Sequence, residues 1–363
     1  MNILIVSNGW YDYDGRLREL CKIFSRIGEL YLFSNGSKSF LKGHTVSESK
    51  GYFGLIKQAF KYGRTHRNID VLVLDDKKAI IPGYLIKFWA KPKIIIQDCR
   101  ELSIRREAIS LSSWIGCVLE RITIRRADIV ICANDVRASI MLDYYKLKEL
   151  PISYENLRRL SYSENVRIEA LEKEFLKYNN NEEYRILSSS GCSILRTDDI
   201  LVKNINKVSK PCRLFLVGKS NPEDRSKIED IIKKLGLSNV VILDKLDEDH
   251  LKFLIGKCHV GIVNYSRIDT NSVYCASGKV YEFLYEGLPI VTTTNPPLQE
   301  MCEKYNIGVS DDSYYEGINK VLSNYQYYKN NVLRLAEERT VEDNNHRLYE
   351  ILKDKISKLL MVQ

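Results

Sequence analysis

SVYCASGKVYEFLYEGLPIVTT, residues 272–293, decides how this chain is read. Ala276, Ser277 and Gly278 form a turn of small residues that opens a helical run over 279–285. A second turn, Gly287-Leu288-Pro289, then feeds the apolar run Ile290-Val291-Thr292. Turn, helix, turn and buried strand in that order make half of a βαβ unit. Upstream, the runs at 214–217, 240–243 and 260–263 have the continuous apolar character of strands covered on both faces, and 227–235 reads as helical.

The same rhythm fills the first half, with strands expected at 3–7, 30–33, 71–74, 94–96 and 129–132, and amphipathic stretches such as 16–27 and 114–125 between them. Between about 161 and 184 the chain turns polar around Asn179-Asn180-Asn181, and strand character resumes at 186–188. With 363 residues the chain exceeds what one core usually holds. The expectation is an α/β protein of two doubly wound, Rossmann-like domains, residues 1–165 and 166–345, with a terminal helix at 346–363 packing back on the first domain.

Ligands of open α/β sheets bind beyond the carboxyl ends of the strands. At the turn formed by Ala276, Ser277 and Gly278, free backbone N–H groups at a helix start attract an anion, and a diphosphate fits. Lys279 can neutralise phosphate charge, and Glu282, one turn on, can accept hydrogen bonds from two ribose hydroxyls. A chance Gly-capped helix before a strand is the plainer reading of the same residues. The run from Ser277 to Leu284, followed by Gly287-Leu288-Pro289-Ile290-Val291, resembles the donor-site signature of the GT-B glycosyltransferases of family 4, also called group 1. That resemblance implies two Rossmann-like domains facing across a cleft, and sugar transfer from a nucleotide sugar with retention and without a metal or other cofactor. It also implies that residues 1–165 bind the acceptor, that residues 166–345 bind the nucleotide sugar, and that Glu282 binds the donor ribose. Many members carry a further glutamate eight positions earlier, on the sugar; here Tyr274 stands there.

Other segments fit the resemblance more loosely. In LSSSGCSILR, residues 187–196, Gly191 opens a loop and Arg196 matches one of two cations on the leaving diphosphate; Cys192 replaces a frequent arginine. Gly218 ends the strand at 214–217, near where the family binds the base. In IQDCREL, residues 96–102, Asp98, Glu101 and Leu102 match while Arg100 replaces a histidine. The candidate catalytic set is therefore Arg196, Lys279, Asp98 and Arg100. In WYDYDGRLR, residues 10–18, Tyr11 and Asp14 or Asp12 suit an acceptor sugar, and a turn with a helix capped by Asp14, the slightly favoured reading, explains the same residues without function.

The net charge of +8 is unevenly spread. Residues 1–160 hold 27 Lys and Arg against 17 Asp and Glu, and the rest hold 28 against 30. A basic first half points to an anionic partner, a phospholipid surface or a nucleic acid. Residues 51–67, GYFGLIKQAFKYGRTHR, interleave Phe53, Leu55, Ile56, Phe60 and Tyr62 with Lys57, Lys61, Arg64 and Arg67, as in a helix lying on an anionic interface. An ordinary core helix explains the apolar side too. The first apolar run lacks a basic leader and no run is long enough to span a bilayer, so a cytoplasmic protein, peripheral on the inner membrane, is expected. Nine scattered cysteines without a Cys-x-x-Cys pair read as reduced core residues, and five dispersed histidines offer no metal spacing.

No Gly-x-Gly-x-x-Gly follows an opening strand, which disfavours a nicotinamide enzyme. Nucleic-acid binding would leave the donor-like motif without purpose. The reading adopted is a hexose-type transferase using a UDP- or GDP-sugar and a lipid-linked or saccharide acceptor, in O-antigen or capsule synthesis by family analogy. A catalytically silent GT-B partner and a sugar-nucleotide epimerase are the alternatives.

Overall fold

The computed structural model describes residues 1–36, 44–46, 51–178 and 182–362. The Asn179-Asn180-Asn181 run lies outside them. The chain forms two compact units, Met1–Asn156 with Val341–Gln363, and Leu157–Thr340. The divide thus falls at Asn156 and Leu157, earlier than the position near 165 expected from the polar stretch. Ser161 and Ser163 of that stretch donate their backbone N–H groups to Glu248 and Asp249 of the second unit, which ties it there.

The first unit carries β1 (Asn2–Ser7), α1 (Gly15–Ile27), β2 (Glu29–Ser34), β3 (His44–Val46), α2 (Tyr52–Thr65), β4 (Val71–Asp75), α3 (Ile80–Ala90), β5 (Ile94–Cys99), α4 (Leu111–Ile124), β6 (Ile129–Cys132), α5 (Asp135–Tyr145) and β7 (Ile152–Ser153). Its sheet is parallel in the order β3-β2-β1-β4-β5-β6-β7. Alternate residues of β1 serve opposite faces: Ile3 and Ile5 pack with Leu17, Leu20 and Phe24 of α1, while Leu4 and Val6 pack with Leu55 of α2 and Ile86 of α3.

The second unit follows with α6 (Ile168–Phe175), β8 (Tyr184–Ser188), α7 (Asp198–Asn204), β9 (Cys212–Val217), α8 (Pro222–Leu235), β10 (Val240–Leu243), α9 (Glu248–Lys257), β11 (Val260–Val263), α10 (Thr270–Val273), α11 (Gly278–Tyr285), β12 (Ile290–Thr292), α12 (Pro296–Tyr305), β13 (Gly308–Ser310), α13 (Tyr315–Ser323) and α14 (Tyr325–Glu338). Its sheet, also parallel, runs β10-β9-β8-β11-β12-β13. Both orders reverse direction beside the first strand of the unit, at β1/β4 and at β8/β11, and the crevice for a ligand opens at such a reversal.

Local chemistry sets the boundaries. Asp14, Ser110, Asn134, Asn221 and Asp247 each accept a backbone N–H in the first turn of the following helix. Gly236 closes α8 at φ 62°. The terminal helix α15 (Val341–Val362) places Leu348, Leu352 and Ile356, spaced by four, in the core of the first unit beside α1.

Candidate functional site

The second unit's switch point is built on a pair of glycines. Gly191, after β8, has φ 77°, and a Cβ there would lie 2.6 Å from the Lys219 carbonyl oxygen. Gly218, after β9, has φ 137°, and its Cβ would lie 2.8 Å from the Gly191 nitrogen. The two loops pack backbone against backbone, and the Gly191 N–H donates to the Val217 carbonyl at 2.8 Å. Both positions require glycine for φ and for space. Beneath them Asp198, fully buried, accepts from the Ser188 hydroxyl, the Ser193 N–H and the Asn264 amide. Burial pushes its carboxyl up to about 6.

Over this base stand two cations. Lys279, in the first turn of α11, donates to the Ser189 carbonyl at 2.9 Å and the Ser190 hydroxyl at 2.8 Å. Burial, and then the neighbouring charge of Arg196, lower its ammonium to about 8. Arg196 donates to the Asn264 carbonyl at 3.2 Å and lies 3.7 Å above the Tyr265 ring. Cys192, where a second arginine would stand, is buried in the core instead, with Ile186 and Leu201. Ser277 does not cap α11 with its side chain. Its buried hydroxyl and that of Ser189 have no hydrogen-bond partner among the described residues. Two cations that repel one another, two unsatisfied hydroxyls and an uncapped helix start are jointly suited to an anion.

Glu282, one turn further along α11, is buried, and desolvation raises its carboxyl above the usual range. Arg158 lies 3.2 Å from its Oε1. Gly278 and Ala276 belong to the same approach, and Tyr274 ends α10 just before it. Buried Asn295 pins that approach, donating to the Ser272 carbonyl at 2.9 Å and accepting from Thr293 at 2.6 Å. Arg158, Asp198, Asn264 and Asn295 carry no local sequence signal beyond the acidic start of α7. Their roles come from partners between 2 and 124 residues away.

The candidates of the first unit meet in a buried ion network. Asp98, wholly buried, takes Arg16 in a fork at 2.8 and 2.6 Å. Arg100 places Nε and Nη2 on Asp75 at 2.6 and 2.7 Å, and Nη1 on Asp14 at 2.5 Å. Asp14 also caps α1 through the Leu17 N–H. Burial, together with Asp98 and Asp14, pushes Asp75 up to about 6. Asp98 and Asp14 are thus occupied by arginines, whereas Arg100 keeps a partly exposed edge. Tyr11, partly buried, sits in a short 3-10 turn held by its N–H to the Gly36 carbonyl.

No protein-family model and no curated protein matches the sequence. Among solved structures, Anabaena Alr3699/HepE in complex with UDP and glucose matches with a TM-score of 0.73 at 17% identity, over 98% of this chain and 100% of that one. Sucrose-phosphate synthase from Thermosynechococcus elongatus matches at 0.70 and 15% identity, over 99% and 98%. UDP-GlcNAc 2-epimerase from Neisseria meningitidis matches less well, at 0.61 and 11% identity, over 99% and 100%. The likeness establishes the two-domain Rossmann-like fold of GT-B glycosyltransferases.

Proposed function

We propose that the chain is a glycosyltransferase that moves a hexose-type sugar from a UDP- or GDP-sugar to a lipid-linked or saccharide acceptor in bacterial surface polysaccharide synthesis, with retention of anomeric configuration. One observation carries this reading: Lys279, Arg196 and the unsatisfied Ser277 and Ser189 hydroxyls gather at the start of α11, with Glu282 one turn along. The cations take the diphosphate and stabilise the charge that develops on it as the glycosidic bond breaks, and Glu282 takes the ribose. The positive charge that stabilises the anionic leaving group comes from Lys279 and Arg196, in keeping with transfer without a metal. HepE, a structural neighbour, binds UDP and glucose in its crystal structure, in keeping with such a donor.

In the first unit, the open edge of Arg100, with Tyr11, is offered to the acceptor, while Asp98 and Asp14 hold Arg16 and Arg100 in place. Peripheral membrane contact is supported by α2, which buries Leu55, Ala59 and Tyr62 and exposes Phe53 and Phe60 beside Lys57, Lys61 and Arg64. Arg64 and Arg67 lie over the Trp89 ring, next to exposed Phe88. No described helix is long and apolar enough to cross a membrane. Calorimetry against UDP, GDP, ADP, CMP and their sugars tests the donor site. One nucleotide should bind, resist EDTA and be lost in Glu282→Ala. A folded protein that binds none of them overturns the reading and leaves the silent-partner alternative.

A further inference from the structure

Glu282 does not face the site alone. Arg158, the second residue of the second unit, brings Nη1 to 3.2 Å from Glu282 Oε1 and Nη2 to 3.7 Å from Glu248 Oε2. The Glu282 side chain is 8% exposed and that of Arg158 42%, so the arginine covers the carboxylate from the solvent side. Its segment is held in place. The Ser161 N–H donates to Glu248 at 3.2 Å, and Ser163 donates its N–H and hydroxyl to Asp249 at 2.7 and 2.5 Å, both acids in the first turn of α9. A ribose presents two hydroxyl donors, and an ionised carboxylate accepts both with its two oxygens, by charge-assisted bonds and with no O–H of its own to compete.

Resting on the donor-site reading above, we infer that Arg158 is a positioning residue for the nucleotide sugar, fixing the Glu282 carboxylate as the acceptor of the ribose hydroxyls. Burial works against that ionised form; Arg158 and Lys279 favour it, and Glu248 opposes it. With one guanidinium nitrogen on Oε1, the Oε2 atom and a second lone pair stay available to the ribose. Ribose recognition thereby depends on a residue more than a hundred positions from the α11 motif, carried on a segment that α9 holds.

The test is calorimetry between about pH 5.5 and about 7.5 with whichever of UDP-glucose and GDP-mannose binds the wild type more tightly; their diphosphate diesters keep constant charge across this range. The proteins are wild type, Arg158→Gln, Arg158→Lys and Glu282→Gln, each first checked by thermal melting. Arg158→Gln should match wild type within a few-fold at the upper limit and fall on the order of tenfold below it at the lower, as Glu282 protonates and loses a charge-assisted hydrogen bond. Arg158→Lys should follow wild type, and Glu282→Gln should bind weakly, with no further loss at low pH when Arg158→Gln is added to it. Arg158→Gln and wild-type curves that run parallel overturn the inference while the donor site stands, as does an Arg158→Gln loss at low pH that survives in the Glu282→Gln background. A wild type that binds neither sugar nucleotide overturns the donor-site reading itself.

Discussion

Replacing Lys279 by methionine should strengthen the fold and weaken the site. The ammonium is lowered from 10.5 to about 8, chiefly by burial, so holding it charged at neutral pH costs the folded protein about 3 kcal/mol. Methionine removes that cost along with two hydrogen bonds, to the Ser189 carbonyl and the Ser190 hydroxyl, each worth about 1 kcal/mol. The net expectation is about 1 kcal/mol of stabilisation, or a rise in Tm of about 2–4 °C for a unit of this size. The sign with pH follows from a folded-state pKa below the unfolded one. The cost is fully present below about pH 8 and disappears as pH climbs towards 10.5, so the variant's advantage should shrink over that window. Binding moves the other way: if Lys279 holds the diphosphate as proposed, its loss should weaken the cognate nucleoside diphosphate by about 10–100-fold. Melting curves at neutral and alkaline pH, paired with calorimetry, read both effects. A variant that melts below wild type at neutral pH and binds the diphosphate unchanged would falsify this account of Lys279.

Gly191→Ala should destabilise the second unit by about 2 kcal/mol or more in urea unfolding, since its Cβ meets the Lys219 carbonyl at 2.6 Å and φ is 77°; an unchanged midpoint would remove the glycine-pair argument. Arg16→Met takes the forked partner from buried Asp98, leaving it Arg100 at 4.0 Å, and should cost the first unit about 3–5 kcal/mol, against near-neutrality if the fork were incidental. Leu352→Ala empties a fully buried site between α15 and α1 and should cost about 2–5 kcal/mol, whereas a terminal helix that merely rests on the surface would show almost none. Reversing the charges of Lys57, Lys61 and Arg64 to glutamate should abolish co-sedimentation with phosphatidylglycerol vesicles at an unchanged Tm, and sedimentation equal to wild type would count against the membrane role of α2.

The elements visible in the sequence are those whose signal is local. The central strands β1, β4, β5, β9 and β11 are continuous apolar runs because helices cover both faces, and α11 announces itself through a small-residue turn, Lys279, Glu282 and the Gly287-Leu288-Pro289 turn that follows. The strands β3, β7 and β13, of 3, 2 and 3 residues, were not expected: runs so short have no periodicity, and pairing at the ends of the sheets defines them. The unit boundary was displaced because Ser161 and Ser163, polar in the sequence as a linker would be, are claimed by α9.

What the sequence by itself determined is the repeated α/β rhythm and the small-residue turn that opens α11, for both arise within a helix turn or a strand length. Tertiary structure alone decided which charges stand beside which. Asp98 faces Arg16 across 82 residues, Asp198 receives Asn264 across 66, and Arg158 reaches Glu282 across 124. Such pairs leave no periodic trace, since an ion pair needs only that two chain segments meet. Whether a cation binds a ligand or a buried carboxylate depends on burial and neighbours, and these exist only once the chain has folded.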